Sequence, residues 1–349
     1  MTQADIEKLL EFDNHKLVRR FEDKDSGLRG YVAIHRTIEG HPSLGATRLW
    51  SYRSETEALC DSLRLSRLMS YKSALAGLPY GGAKAVLIAT PNMLKHRADA
   101  FRAYAEKINY LGGQFVTGTD VGVEDKDISL MQKTTDFVIG TKVDPAYYTA
   151  ISVTNAIEVA LNRISNQPEL GRRKFAIQGV GKTGSNILKL LYKNSAVVYI
   201  ADIDKQKLKA IKKKFPRVKV VNPSDIHKQE VDVFIPCALS GVLNSKNIKE
   251  LRCSIVAGSA NNQLNAPSAG DLLYKRGILY APDYASNAGG LISVADELEN
   301  KRPSKERILS RIEKVRVILE NIFEEGEKKK IPTNIVANKI AEKIFNGKK

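Results

Sequence analysis

Lys174-Phe-Ala-Ile-Gln-Gly179-Val180-Gly181-Lys182-Thr183-Gly184-Ser185 is the stretch that decides the fold. Its first five residues are a short, mostly apolar run of strand composition. Residues 182–193 then carry apolar positions at helical spacing. Between them stands G-x-G-x-x-G, a weak signal alone and a strong one between a strand and a helix. Gly179 permits a tight turn, Gly181 lets backbone approach a pyrophosphate, and Gly184 lets helix and strand pack closely. The helix N-terminus adds free amides and partial positive charge for phosphates.

Working outward, 196–201 reads as a second strand ending at Asp202, which stands 18 residues after Gly184. About 20 is the spacing expected of the acid that accepts from a ribose hydroxyl. Asp202, followed by Ile203, is therefore expected among the contacts to NAD, and Asp204 strengthens repulsion of a 2′-phosphate. Lys205 leaves NADP open. Further strands are expected at 218–221, 231–235, 254–257 and 278–280, with a helix at 205–215. Strands alternating with helices imply right-handed crossovers and a parallel sheet covered on both faces. The last forty-odd residues read as helical.

The first half reads as mixed α/β. Residues 29–36 have strand composition. Ser54 with Glu57 is a capping box opening a helix to about Tyr71, with an apolar stripe through Leu59, Leu63 and Leu68. Gly77, Pro79, Gly81 and Gly82 are expected to break the chain before a strand at 85–88. A helix is expected at 95–110, and 137–150, with Asp144-Pro145, reads as a connector. Two lysines, Lys72 and Lys84, flank the glycine-rich stretch. A buried lysine loses charge and can act as a base near neutrality, while one that stays charged can hold a carboxylate. Asp120, between Gly118 and Gly122, is suited to proton transfer.

The composition excludes several classes. The chain has 349 residues, 43% of them hydrophobic, enough for two domains. No run approaches the ~18 apolar residues of a membrane span. Residues 1–11 lack the pattern of a signal peptide, so a cytoplasmic protein without membrane partners is expected. The three cysteines and five histidines are scattered, so neither a disulfide framework nor a metal site is expected. The net charge of +16 is spread over helical polar faces (Lys212–Lys214, Lys328–Lys330, Lys339, Lys343, Lys348, Lys349) without interleaved aromatics, so nucleic acid is not an expected partner.

Taken in order, several segments resemble the glutamate/leucine/phenylalanine/valine dehydrogenases over nearly the whole chain. They are Leu44-Gly45-Ala46-Thr47-Arg48, Met69-Ser-Tyr-Lys72, Gly81-Gly82-Ala-Lys84, residues 117–122, residues 178–185, Pro236-Cys237-Ala238-Leu239, residues 258–264 with Asn261 and Asn262, and residues 281–290 with Asn287. The resemblance implies an N-terminal α/β substrate and oligomerisation domain (1–145) and a Rossmann-type NAD domain (146–325), with the active site in the cleft between them. A C-terminal helix (326–349) is expected to return to the first. It implies that Lys72 binds the substrate carboxylate, that Lys84 assists attack of water on an imine, and that Asp120 shuttles protons. Asn262 is expected to orient substrate and Thr149 to lie near the nicotinamide, with Ala238, Asn261 and Asn287 as further cofactor contacts. Gly45, Gly81 and Gly82 are expected to let substrate lie against backbone. The leucine and phenylalanine enzymes usually have Gly-Gly where this chain has Gly45-Ala46, which bears on substrate size.

The resemblance also bears on the substrate. Glutamate enzymes place a lysine where this chain has Leu44, so a second carboxylate would lack its partner. An apolar pocket is expected from Leu44, Gly118, Leu291 and Val294. Gly118 with Leu291 resembles the phenylalanine branch, so an aromatic L-amino acid is favoured over leucine, although one methylene in such a pocket is worth only ~1–3 kcal/mol. The expected partners are thus an amino acid, its 2-oxo acid, ammonium and further copies of the chain. A nucleotide-binding regulator without catalysis is the alternative of another class, opposed by intact Lys72, Lys84 and Asp120.

Overall fold

The computed structural model describes residues 3–347 apart from Leu239 and Lys301. Leu239 of the 236–239 motif, and Lys348 and Lys349 of the basic set, therefore lie outside the described residues, as do Met1, Thr2 and Lys301. The chain divides into two compact units. One runs to Lys142 and takes in the chain from Ile344, and the other spans Val143–Lys343.

The first unit contains α1 (Gln3–Glu7), β1 (Leu17–Asp23), β2 (Leu28–Arg36), β3 (Ser43–Leu44), β4 (Thr47–Trp50), α2 (Glu55–Leu75), β5 (Gly81–Ile88), α3 (Pro91–Lys95), α4 (Arg97–Asn109), β6 (Phe115–Val116) and α5 (Asp125–Met131). The sheet order is β1-β2-β5-β3-β6, with β4 beside β5. β2 runs antiparallel to both of its neighbours, β1 and β5, whereas β3 and β4 run parallel to β5. Side-chain alternation explains the layers. Tyr31, Ala33 and Val86 face Leu59 and Leu63 of α2. Val32, Ile34, Ala85 and Leu87 face Phe101, Tyr104 and Ile108 of α4. β5 lies buried between both layers along its whole length.

Three expectations for this unit are corrected. The strand expected at 85–88 begins at Gly81, because Gly81 and Gly82 serve close packing rather than a break. A Cβ at Gly82 would fall 2.0 Å from Ser70 N, and one at Gly81 would fall 1.9 Å from Arg36 O. The break is at Gly77, at φ 68°. Helix α2 runs to Leu75, beyond Tyr71, and its capping box is half formed. Ser54 Oγ accepts from Glu57 N at 3.1 Å, while the Glu57 carboxylate accepts from Arg53 N.

The second unit opens with α6 (Pro145–Ser165), which replaces the end of the expected connector. Proline at the first helical position and Asp144, accepting from the amides of Ala146 and Tyr147, start it. There follow β7 (Lys174–Gln178), α7 (Lys182–Lys193), β8 (Val197–Ala201), α8 (Lys205–Lys214), β9 (Lys219–Val220), β10 (Val233–Pro236), β11 (Ile255–Val256), α9 (Ser268–Lys275), β12 (Leu279–Tyr280), α10 (Asp283–Ser286), α11 (Gly289–Glu299), α12 (Lys305–Lys329) and α13 (Thr333–Gly347), whose last residues belong to the first unit. All strand pairs here are parallel, in the order β12-β11-β10-β7-β8-β9. The direction of winding reverses between β7 and β10, the point at which open sheets of this kind bind ligands.

The backbone contact at Gly82 is expected to be decisive for stability. Gly82→Ala should lower the free energy of unfolding by about 1–3 kcal/mol or more, read by urea unfolding. A variant within about 0.5 kcal/mol of the parent would show that α2 can shift away from β5.

Candidate active site

In the first unit, three of the sequence motifs lie side by side as strands. The 43–50 segment sits between β5 and the 115–121 segment. Leu44 is opposite Gly82 and Thr47 opposite Ala85 on one side. On the other, the amides of Gly45, Thr47 and Leu49 donate to the carbonyls of Val116, Gly118 and Val121 at 3.1, 2.9 and 2.9 Å. This pairing brings Leu44, Gly45, Gly82, Lys84, Gly118 and Asp120 into one neighbourhood. Gly45 is needed for the approach, since a Cβ there would fall 2.0 Å from Ala83 O. Leu44 is only 1% exposed. A Cβ at Gly118 would fall 3.1 Å from Ile139 O, so glycine relieves that contact as well as leaving room.

Lys84 shares the α2-facing parity of Val86 and is 5% exposed. Its Nζ lies 2.6 Å from Asp120 Oδ2. The Arg48 Nε also donates to that oxygen, at 3.1 Å. Arg48 Nη1 reaches Asp61 Oδ2 at 3.0 Å, which accepts from the Tyr52 hydroxyl at 2.6 Å. Burial pushes the Lys84 amine below the ordinary lysine range; Asp120 opposes this and Arg48 adds to it. Burial would raise the pKa of Asp120, but Lys84 and Arg48 outweigh it and hold the carboxyl well below the usual range. A buried amine pressed toward neutrality beside an ionised carboxylate can activate water and pass protons. Lys72 is half-buried in the last turn of α2.

In the second unit, the glycine turn has the shape its spacing implies. Gly179 has φ 93° and a Cβ there would meet Ala238 at 2.8 Å. A Cβ at Gly184 would fall 2.1 Å from Gly179 O, and one at Gly181 would meet nothing within 4 Å. Helix α7 begins at Lys182 with Gly181 as its N-cap, which has no side chain to offer, so its first amides keep no side-chain acceptor. Lys182 is exposed and Thr183 half-buried beside it. The Ser185 hydroxyl donates to Val180 O at 2.7 Å and steadies the turn. Asp202 accepts from the amides of Val180 and Asp204 at 2.8 and 3.0 Å. Each carboxylate oxygen retains a further lone pair for a hydroxyl. Ile203 beside it is 90% exposed.

Asn262, at φ 55°, is held at both ends of its backbone. Its amide donates to Asp283 Oδ2 at 2.8 Å and its carbonyl accepts from Gly241 at 2.7 Å. Asn287 Nδ2 donates to Ser259 O and Asn261 Oδ1, at 3.2 and 3.1 Å. Gln178 Oε1, Asn262 Nδ2 and Asn287 Oδ1 are buried without a hydrogen-bond partner. Such atoms are costly unless a ligand satisfies them. Open space over Gly181, uncapped helix amides and orphaned amide groups therefore fit a dinucleotide. The Thr149 hydroxyl donates to Pro145 O at 2.7 Å and lies against Gly290. Leu291 and Val294, three residues apart on α11, share a helix face, the first buried and the second half-buried. Burial pushes the Cys237 thiol up to about 11, which leaves it a packing residue against Gly184.

The model for "Glutamate/Leucine/Phenylalanine/Valine dehydrogenase" matches residues 140–344, and the model for the dimerisation domain of the same enzymes matches residues 15–137. The chain belongs to the Glu/Leu/Phe/Val dehydrogenase family. It is an amino-acid dehydrogenase of that family, an oxidoreductase with a nucleotide-binding domain. It is 39% identical over 341 residues to the leucine dehydrogenase of Geobacillus stearothermophilus, covering 96% of this chain and 92% of that one. It is 39% identical over 344 residues to the phenylalanine dehydrogenase of Lysinibacillus sphaericus, covering 96% and 89%. The crystal structure of L-tryptophan dehydrogenase from Nostoc punctiforme superposes with a TM-score of 0.81 at 37% identity, covering 96% of each chain.

Asp61 and Tyr52 are site-building residues outside the sequence motifs, and Arg48 and Asp283 stood within motifs without a role of their own. Asp61 had a signal: it is an acid among the leucines and serines of the buried face of α2, between Leu59 and Leu63. Asp202→Ala should raise the dissociation constant for NAD roughly tenfold or more, the equivalent of about 1.5–3 kcal/mol for a charged hydrogen bond. It should also reduce the preference for NAD over NADP. Calorimetric titration with each dinucleotide checks this, and unchanged constants for both would remove Asp202 from the ribose contact.

Proposed function

We propose that the protein catalyses NAD-dependent, reversible oxidative deamination of an apolar L-amino acid, with an aromatic one preferred. The observation that carries this reading is the buried Lys84 amine at 2.6 Å from Asp120, beside Gly82 and Leu44. Lys72 holds the substrate carboxylate. The bound nicotinamide supplies the acceptor for the hydride that leaves Cα. Neutral Lys84 takes a proton from water as it attacks the resulting imino acid, and Asp120 carries protons to and from the amino nitrogen. Asn262 orients the substrate, Gly45, Gly81 and Gly82 present backbone to it, and Gly179–Ser185, Asp202, Ile203, Thr149, Ala238, Asn261 and Asn287 bind the dinucleotide. Water and ammonium are the only other reactants.

Substrate class follows from side chains. Leu44 is buried and uncharged, so a second carboxylate would be desolvated without a partner. Gly118 leaves room for a ring and Leu291 offers an apolar face. Leucine is the second reading, supported by relatives named for it. We further propose a homo-oligomer, in keeping with the dimerisation-domain match over residues 15–137.

NAD reduction with phenylalanine, tryptophan, leucine, valine and glutamate tests the reading. Phenylalanine or tryptophan should give the highest kcat/KM. Preference for leucine would keep the reaction and discard the aromatic assignment, and silence on every substrate would discard both. Lys84→Ala should lose about 10²–10⁴-fold in turnover while its NAD affinity holds. Because the base must be neutral, kcat/KM in the parent should rise with pH through a pKa below lysine's ordinary ~10.4, then level off. A limb at or above that value would place the base elsewhere.

A further inference from the structure

The Lys84–Asp120 pair is not isolated. Lys84 and Arg48 touch the same oxygen of Asp120, so two cations stand within a few ångströms of each other. Arg48 cannot relax away. Its Nε is engaged by Asp120 and its Nη1 by Asp61, and its side chain is 12% exposed. Asp61 is in turn fixed by the Tyr52 hydroxyl at 2.6 Å and by Arg64 at 2.5 Å. The groups around Lys84 are therefore Asp120 from the segment after β6, Arg48 of β4, Tyr52 just beyond it, and Asp61 of α2 with Arg64 behind. β2 sets uncharged Ala33 opposite Lys84, and two residues along the same face is buried His35, paired with Asp13.

The chemistry proposed for the site poses a conflict. A lysine bound to a lone buried carboxylate is stabilised as the ammonium, the form that cannot act as a base. A second, permanent cation on that carboxylate removes the conflict: it repels the ammonium and satisfies Asp120 when Lys84 is neutral. Arginine suits this role because it does not deprotonate and its fork reaches two carboxylates at once. We propose that Arg48, anchored by Asp61, is a positioning residue for the reaction: it holds Asp120 ionised and in place, and its fixed charge favours the neutral amine of Lys84. This rests on the reading of Lys84 as the base. Burial does most to lower the Lys84 amine and Asp120 opposes it, while Arg48 adds to the lowering and Asp61 opposes.

Electrostatics then gives the two anchors opposite signs. Removing the Arg48 charge should move the ascending limb of kcat/KM to higher pH, by about 1–3 units for loss of an adjacent charge. Removing the Asp61 charge leaves Arg48 less compensated and should move the limb to lower pH. Arg48→Lys keeps the charge but loses the fork, so its limb should stay near the parent while kcat falls. The test is the pH profile of kcat/KM for Arg48→Gln, Arg48→Lys and Asp61→Asn, with NAD affinity measured in each. The expected order of limbs is Asp61→Asn lowest, then the parent with Arg48→Lys, then Arg48→Gln. Limbs that coincide, with rates reduced by one factor at every pH, would overturn the proposal and leave Arg48 a structural residue. If Arg48→Gln does not fold, the downward shift in Asp61→Asn and the unshifted limb of Arg48→Lys decide it.

Failure of the functional reading is separable. Trace acetylation of Lys84, followed by mass spectrometry of its peptide across pH, reports the neutral amine without turnover. The same order of half-points is expected even if no amino acid on the panel is oxidised. Coinciding half-points, or a Lys84 unreactive up to about pH 11, beyond the ~10.4 of free lysine, would overturn the proposal.

Discussion

Helix α2 and strand β5 meet backbone to backbone at Ser70 and Gly82, and the first unit depends on that contact. Without a Cβ at 82 the helix comes down onto the sheet, and without one at 81 and 45 the neighbouring strands close in. Three glycines thus let β5, the 43–50 segment and the 115–121 segment converge under one helix. The convergence is what buries Lys84, two residues beyond Gly82. A lysine is seldom so enclosed unless it is paired, and the pairing partner arrives from the third strand segment as Asp120.

Burying charge does not by itself stabilise a fold, since desolvation offsets much of the attraction between partners. On the proposed function, the group formed by Lys84, Asp120, Arg48, Asp61 and Tyr52 is a device for chemistry held in place by the core around it. The two apolar layers, Leu59 and Leu63 on one face and Phe101 and Tyr104 on the other, supply the cohesion. The polar group in their midst supplies a low-dielectric setting in which small displacements of charge have large effects. The second unit divides its labour similarly. A regular parallel sheet gives rigidity, while the ends of β7 and β10 present the glycine turn and Cys237 with Ala238 on either side of the reversal in winding.

The two halves differed in how much of this could be read from sequence. In the second, strand and helix alternate locally, and the expected helix at 182–193 and strand at 174–178 coincide with α7 and β7. Local periodicity suffices there because each crossover is built from adjacent residues. In the first half the decisive pairings are long-range: Thr47 with Gly118, Leu44 with Gly82. No local pattern encodes them, so Gly81 and Gly82 read as a break although they begin a strand. Helix α6 was hidden for a different reason: Asp144-Pro145 is a turn signal as well as a helix start, and only the buried face through Val153, Ile157 and Ala160 decides between them. The motifs located Lys84 and Asp120 individually. Their union with Arg48 and Asp61 needed the register of three strands and one helix face.

Asn262 has a backbone conformation that a non-glycine residue adopts at a cost of roughly 1–2 kcal/mol. Its amide and its carbonyl are both engaged within the fold, by Asp283 and Gly241. The strain is therefore held by two hydrogen bonds from within the same unit. A substrate oriented by Asn262, as proposed, would meet a backbone already fixed, so little conformational freedom would remain to be lost there on binding.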